Sequence, residues 1–239
     1  SISVRKKPRV RIKPHRDAVS NGTSMQVYVE MVEKFCNFIP KNIFEIGANY
    51  AQDAEYLRKS FNINENNVFV FEPHPQIFKE IKKLYNFNCY DQAVSNEEGR
   101  ANFNAIDIEN NEYKNTGISS LKNGLTTDNN NFISVEVEMI RMDKFIEINN
   151  IKEIDFLKID VEGVNYEVLE GFGKEIEKCK VIQTEGEYKQ YWEGQKLYND
   201  MENYLKKKDF LLIDFRLSND GIQSDSLWIQ KKYLKSLTC

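Results

Sequence analysis

The sequence has 239 residues, a mass of 28.1 kDa, 41% hydrophobic residues and a formal net charge of −4. A chain of this length can bury one sizeable core, and no apolar run approaches the roughly eighteen residues of a membrane-spanning helix, which excludes that class of protein. Its four cysteines lack C-x-x-C spacing, which argues against a zinc site or a disulfide framework. We interpret them as reduced thiols and expect a cytoplasmic protein, with a secreted chain as the alternative.

Basic residues are concentrated at the start of the chain. The first sixteen residues hold seven lysines and arginines and no acid, whereas the remainder has 26 basic and 37 acidic residues. Residues 5–16 could therefore contact an anionic membrane, a nucleic acid or a polyanionic glycan. Two prolines interrupt this segment, which favours a solvated linker. We predict a basic arm or linker over residues 1–22 and one domain over residues 23–239.

Hydrophobic periodicity predicts strands and helices that mostly alternate along this domain. The segments 99–106 and 134–140 are expected to pair as an added hairpin or an edge ladder, and residues 218–221 predict a hairpin turn near the end. The predicted helices are 24–38, 51–57, 75–85, 143–148, 164–172 and 194–208. The predicted strands are 43–46, 67–71, 88–94, 99–106, 134–140, 155–160, 180–185, 210–215 and 226–230.

The first predicted strand turns directly into a helix through Gly47. In an open α/β sheet such a turn lies at the carboxyl edge, where glycine lets the main chain approach a ligand. A dinucleotide fingerprint would need three glycines, and no phosphate-cradling loop is present elsewhere. A single glycine with polar Asn49 and Gln52 suits S-adenosylmethionine, which carries no phosphate. A turn without any ligand is the alternative.

The second predicted strand ends in an acid, Glu72, which follows Gly47 by 25 residues. Nucleotide-binding units place a carboxylate on the ribose hydroxyls at a similar spacing, and a carboxylate can accept from both hydroxyls. The alternative is a solvated acid at a strand end.

Residues 107–133 are rich in asparagine, threonine and glycine, and we predict a lid-like insertion there. Loops of this length are usually functional or disordered, and both alternatives stay open. Within the insertion, Ser119 and Ser120 are predicted to contact the cofactor or the acceptor.

The exit of the predicted strand 155–160 carries Asp160 and Glu162, which we predict to be the chemical centre. A reaction at a hydroxyl needs a group that removes or holds the proton, and a carboxylate meets that need. The alternative is that Asp160 only caps the next helix through Asn165. Glu185, at the next strand exit, completes the predicted catalytic group. Two such carboxylates could hold a magnesium ion, although we favour a metal-free base.

Four blocks, FEIGAN at 44–49, FEPHP at 71–75, GISSL at 117–121 and IDFLKIDVEG at 154–163, resemble the signature blocks of the FkbM-type methyltransferases. The resemblance spans most of the chain from about residue 40 onward. It implies a class I S-adenosylmethionine-dependent O-methyltransferase that acts on a hydroxyl of a sugar, a glycolipid or glycan unit, or a polyketide. One departure is Ala51, where the family often has a second glycine.

The class I fold implied by this resemblance is a seven-stranded mixed α/β sheet of order 3-2-1-4-5-7-6, and the predicted terminal hairpin agrees with it. In that fold the third strand exit meets the adenine, which makes Gln92 a candidate for the adenine edge; capping of its loop is the alternative. His74 lies beside the ribose acid, and Tyr188 and Trp192 could stack on a sugar ring or simply pack. The predicted cofactor site comprises Glu45, Gly47, Asn49, Gln52, Asp53, Glu72, Pro73, His74, Gln92, Ala93 and Asp160.

Three functions are compatible with the sequence. The first is an O-methyltransferase for a sugar or another small molecule. The second is an RNA or protein methyltransferase that uses the basic arm, whose affinity would fall steeply with salt. The third is a non-catalytic nucleotide-binding module.

Overall fold

The computed structural model describes residues 23–110, 119–124 and 131–236. The predicted basic arm and most of the predicted lid lie outside these ranges. Over the described ranges, no helix has the length and apolar character needed to cross a bilayer.

Six α-helices and ten strands form the described part of the chain. The helices are α1 (Thr23–Phe35), α2 (Gln52–Ser60), α3 (Pro75–Leu84), α4 (Met142–Ile148), α5 (Asn165–Glu170) and α6 (Tyr198–Lys207). The strands are β1 (Ile43–Ile46), β2 (Val68–Phe71), β3 (Asn88–Tyr90), β4 (Ala93–Val94), β5 (Gly99–Ile106), β6 (Phe132–Ile140), β7 (Ile154–Ile159), β8 (Cys179–Glu187), β9 (Phe210–Leu217) and β10 (Gln223–Gln230). Short 3₁₀ turns cover Glu65–Asn67, Gly173–Lys178 and Lys231–Tyr233.

Seven of these strands form one sheet in the order β3-β2-β1-β7-β8-β10-β9. Numbered within the sheet alone, this is 3-2-1-4-5-7-6, so the predicted class I topology is confirmed. All pairs from β3 to β8 are parallel, and β10 is antiparallel to both of its neighbours. The parallel strands therefore end at one common edge of the sheet.

The two faces of this sheet are covered by different helices. Apolar residues of α1, α2 and α3 join one core with alternate strand residues, while α4, α5 and α6 cover the other face. Buried strands alternate between these two cores, as the pleat requires. In β7, for example, Phe156 lies in the first core and Leu157 in the second.

A smaller sheet of order β4-β6-β5 lies beside the main one. The predicted hairpin between β5 and β6 is confirmed, with antiparallel pairing from Gly99–Met139 to Ile106–Phe132. The predicted third strand and its exit, residues 88–94, are divided between the two sheets. Only β3 joins the main sheet, and after Asp91 and Gln92 the chain crosses to the smaller sheet, where β4 pairs parallel with β6.

Two predicted helix boundaries were wrong by several residues. The first helix ends at Phe35, because Cys36 pairs with Leu234 in an isolated bridge. The helix predicted from residue 194 begins at Tyr198, where the Asp200 carboxylate accepts from the Leu197 amide at 3.0 Å and fixes the start.

Shortening one buried side chain of the central strand β7 tests this packing. Leu157 on β7 is fully buried, so Leu157→Ala should lower the free energy of unfolding by about 2–5 kcal/mol. Leu211→Ala on the edge strand β9, where the side chain is 44% exposed, should change it by about 0.5 kcal/mol or less. Urea titration measures both, and equal losses in the two variants would contradict the proposed core.

Candidate functional site

The exits of β1, β2 and β7 meet at the turn that follows β1. Ile46 pairs with Phe71 on one side and with Ile159 on the other, so the three strands end level. The Gly47 amide then donates to the Phe71 carbonyl at 3.0 Å, and the Asp160 amide donates to the Ile46 carbonyl at 2.9 Å. These bonds bring the predicted residues Gly47, Glu72 and Asp160 to one edge.

Gly47 is required by the geometry of this junction. Its φ is +78°, and a Cβ built there would lie 2.2 Å from the Asp160 carbonyl oxygen. An L-residue is strained at such a φ, and backbone atoms cannot move away as a flexible side chain can. Two further residues of the turn, Asn49 and Ala51, also have positive φ, at 52° and 56°. Ala51 therefore occupies a conformation that glycine adopts more easily.

The Glu72 carboxylate bonds both to the turn after β1 and to the residue that precedes α3. Its carboxylate accepts from the Asn49 amide at 2.7 Å and from the His74 amide at 3.0 Å. Burial raises the pKa of Glu72 to about 7; the two amide donors oppose this shift, and the charges of Glu45 and Asp160 add to it. The carboxylate retains acceptor capacity beyond these two bonds.

His74 connects this edge with the smaller sheet. Its ring is 3% exposed, and Nε2 donates to the Ile106 carbonyl at 2.8 Å, which assigns the proton to Nε2. Burial lowers the pKa of His74, so the ring is neutral near pH 7. Nδ1 has no hydrogen-bond partner among the described residues. Pro73 is half-buried beside it, as is Gln92 between β3 and β4, and Ala93 is buried.

A buried lysine lies beneath the turn. Lys158 of β7 is 1% exposed, and its Nζ lies 3.3 Å from Glu45, 3.2 Å from Asp53 and 3.5 Å from Asp160. Glu45 also accepts from the Ala54 amide at 3.1 Å, near the start of α2. The prediction assigned Glu45 and Asp53 to the cofactor and gave Lys158 no role. A lysine between Leu157 and Ile159 in a buried strand was the available signal.

The three predicted catalytic carboxylates converge. One oxygen each of Asp160, Glu162 and Glu185 lies within 4.8 Å of the others, close enough to hold a metal ion. Asn165 bonds to the exits of both β7 and β8. Its side chain accepts from the Val161 amide at 3.0 Å and donates to the Glu185 carbonyl at 3.2 Å, which ties the two strand exits together.

Residues 119–124, in the middle of the insertion, are bonded to β5 and to the segment after β7. Ser119 Oγ accepts from the Ile106 amide at 2.9 Å, and Ser120 Oγ donates to the Glu162 carbonyl at 2.5 Å. Lys122 pairs with Glu167 of α5 at 3.2 Å. Both serine hydroxyls predicted to contact a ligand thus have partners within the protein.

The two predicted stacking aromatics differ in exposure. Trp192 is 7% exposed and packs on Gly163, where a Cβ would lie 2.8 Å from the indole ring. Tyr188 is 40% exposed, and its ring lies 5.3 Å from that of Tyr198. Tyr188 therefore retains free ring surface, whereas Trp192 supports the turn at residues 160–163.

Comparison with known proteins gives a consistent family assignment. The family profile of the methyltransferase FkbM domain matches residues 45–212, well over half of the chain. The chain is 27% identical over 165 residues to the 2-O-methyltransferase NoeI of Sinorhizobium fredii (strain NBRC 101917 / NGR234), covering 64% of this chain and 66% of NoeI.

A solved structure shares the fold. The methyltransferase FkbM from Methylobacillus flagellatus KT is similar with a TM-score of 0.52 and 14% sequence identity, covering 80% of this chain and 43% of that chain. At this identity the similarity concerns the fold alone. The present chain spans less than two thirds of the length of either relative.

Replacement of Gly47 tests the junction of β1 and β7. Gly221 has a similar φ of +69° but open space around a built Cβ, so Gly221→Ala should cost only the backbone strain, about 1–2 kcal/mol. Gly47→Ala should cost roughly 1–3 kcal/mol more, because the methyl group meets the Asp160 carbonyl. Denaturant unfolding compares them, and equal costs would contradict the close approach.

Proposed function

This chain belongs to the FkbM methyltransferase family, and from that premise we propose that it transfers a methyl group from S-adenosylmethionine to a hydroxyl of a sugar or glycan. The observation that supports this most strongly is the convergence of Gly47, Glu72 and Asp160 at one sheet edge. Ligands of open α/β sheets bind at the carboxyl ends of the strands. We therefore assign main-chain approach to the cofactor to Gly47, acceptance of the ribose hydroxyls to Glu72 and acceptance of the proton to Asp160.

The chemistry of these donors and acceptors fits the cofactor. S-adenosylmethionine would supply an electrophilic methyl group, which leaves sulfur as the acceptor oxygen bonds to it. Glu72, oriented by the Asn49 and His74 amides, can accept from the ribose hydroxyls. His74, Gln92 and Ala93 border the same edge and are proposed to line the adenosine pocket. Gly47 lets the main chain approach the methionine end.

Asp160 or Glu162 is proposed to take the proton of the acceptor hydroxyl. Both lie at the exit of β7, and Glu185 adds a third carboxylate within 4.8 Å. A carboxylate that orients the hydroxyl and receives its proton leaves a more nucleophilic oxygen in position. We favour this over a bound divalent cation, because the Lys158 ammonium already lies 3.5 Å from Asp160 and would repel a second cation there.

A sugar acceptor is supported by two observations of different kinds. NoeI, the curated relative, is named as a 2-O-methyltransferase. In this chain, Tyr188 follows β8 and presents a partly exposed ring of the kind that stacks on the apolar face of a sugar. Tyr188 directly follows β8, the strand that carries Glu185, so its backbone lies at the carboxyl edge of the sheet.

Methyl transfer can be measured directly with radiolabelled S-adenosylmethionine and a panel of methyl glycosides of neutral sugars. Asp160→Asn or Glu162→Gln should lower kcat by roughly 10²–10⁴, the range of a lost general base. Asp143→Asn is the control, since this part-buried aspartate of α4 pairs with Arg141 just before the helix and should leave kcat unchanged. If both carboxylate variants kept wild-type kcat, neither residue could be the base.

Cofactor binding should release protons near pH 7. Glu72 has a pKa of about 7 in the free protein, and ribose hydroxyls that donate to it favour its ionised form, so binding lowers this pKa. Calorimetric titration of S-adenosylhomocysteine at pH 6.5–7 in buffers of different ionisation enthalpy should show the release of a fraction of a proton. Glu72→Gln should show none. Proton uptake, or no exchange in the wild type, would contradict the ribose contact.

A further inference from the structure

We infer that Lys158 is a positioning residue that holds the turn between β1 and α2 (residues 47–51, the cofactor turn) and the proposed catalytic carboxylate Asp160 in one fixed arrangement. This inference rests on the proposed function and extends it to a residue that would not touch substrate or cofactor. It follows from which elements Lys158 joins.

The ammonium group contacts carboxylates from three separate elements. Glu45 comes from β1, Asp53 from the first turn of α2, and Asp160 from the exit of β7, all within 3.2–3.5 Å of Nζ. Glu45 and Lys158 lie opposite each other in the parallel register, and Asp160 follows two residues later on the same face. A single cation therefore binds both ends of the cofactor turn to the strand that carries the proposed base.

The charges explain why this arrangement is well defined. A lysine with 1% exposure loses nearly all of its hydration, which only close anionic partners can offset. The carboxylates in turn would repel one another without the ammonium, since Glu45 is fully buried and Asp53 and Asp160 are only 16% and 13% exposed. Loss of the cation should therefore displace them.

Such a displacement would act on function through geometry. Glu45 accepts from the Ala54 amide, so a movement of Glu45 would shift the start of α2. The main-chain carbonyl of Asp160 lies against Gly47, so a movement of Asp160 would shift the turn after β1. The distance between the cofactor turn and the base would then no longer be fixed. Methyl transfer needs the reacting atoms in line, and a misplacement of about 1 Å can cost roughly 100-fold in rate.

Lys180 provides a matched control in the neighbouring strand. It is 9% exposed at the beginning of β8 and pairs with Asp155 at 3.0 Å and Glu153 at 3.2 Å. This cluster lies at the amino end of the parallel strands, away from the exits. Lys180→Met therefore removes a buried, doubly paired lysine without touching the proposed site.

The experiment compares Lys158→Met, Lys158→Arg and Lys180→Met with the wild type, each at a temperature where thermal unfolding shows it fully folded. The first readout is the Kd of S-adenosylhomocysteine by calorimetry, which needs no acceptor. Lys158→Met should weaken binding roughly tenfold or more, because buried carboxylates lose their partner, whereas Lys180→Met should stay near the wild type. Lys158→Arg keeps the charge and should recover part of the affinity.

The second readout separates kcat from the acceptor KM in the methyl-transfer assay. Lys158→Met should lower kcat roughly 100-fold and change the KM little, as expected for a misplaced base. If Lys158→Met bound the cofactor and turned over like Lys180→Met, Lys158 would be only structural and the inference would be wrong. If the wild type itself failed to bind S-adenosylhomocysteine, the proposed function would fail instead.

Discussion

The close approach of Gly47 to the Asp160 carbonyl determines the arrangement of the whole site. Only a residue without a side chain lets the turn after β1 lie against the exit of β7, because a Cβ would come within 2.2 Å of that oxygen. Once the two exits are in contact, Glu72 reaches the Asn49 amide and Lys158 reaches carboxylates on both sides. The positions of Gly47, Glu72 and Asp160 therefore depend on one another.

Several polar groups around this contact each bind more than one partner. Glu72 binds two main-chain amides, Lys158 binds three carboxylates, and Ser120 binds the Glu162 carbonyl. Buried polar groups are costly unless they are paired, so these contacts specify one conformation of each strand exit. Asn165 adds a bond between the exits of β7 and β8. Hydrogen bonds and ion pairs thus specify the geometry of the site together with apolar packing.

Local sequence patterns predict the strands and their exits, but they do not predict contacts between residues distant in the chain. The strands and their exits were predictable, because a short apolar run ending in glycine or an acid is visible in the sequence itself. The Glu45–Lys158 pair was not, since it depends on the register between distant strands. The division of residues 88–94 between two sheets likewise depends on pairing with β6, and the burial of Trp192 on Gly163 depends on a tertiary contact.

Three of the five residues from Gly47 to Ala51 have a positive φ, and Ala51 lacks the freedom of glycine there. Branched and bulky residues are poorly tolerated in that conformation. The segment should therefore admit few substitutions during evolution, and sequence drift in descendants of this chain should accumulate in elements that are less constrained, such as the edge strand β9. Replacement of Ala51 by glycine would relieve the backbone constraint, so among substitutions in this turn it should be tolerated best.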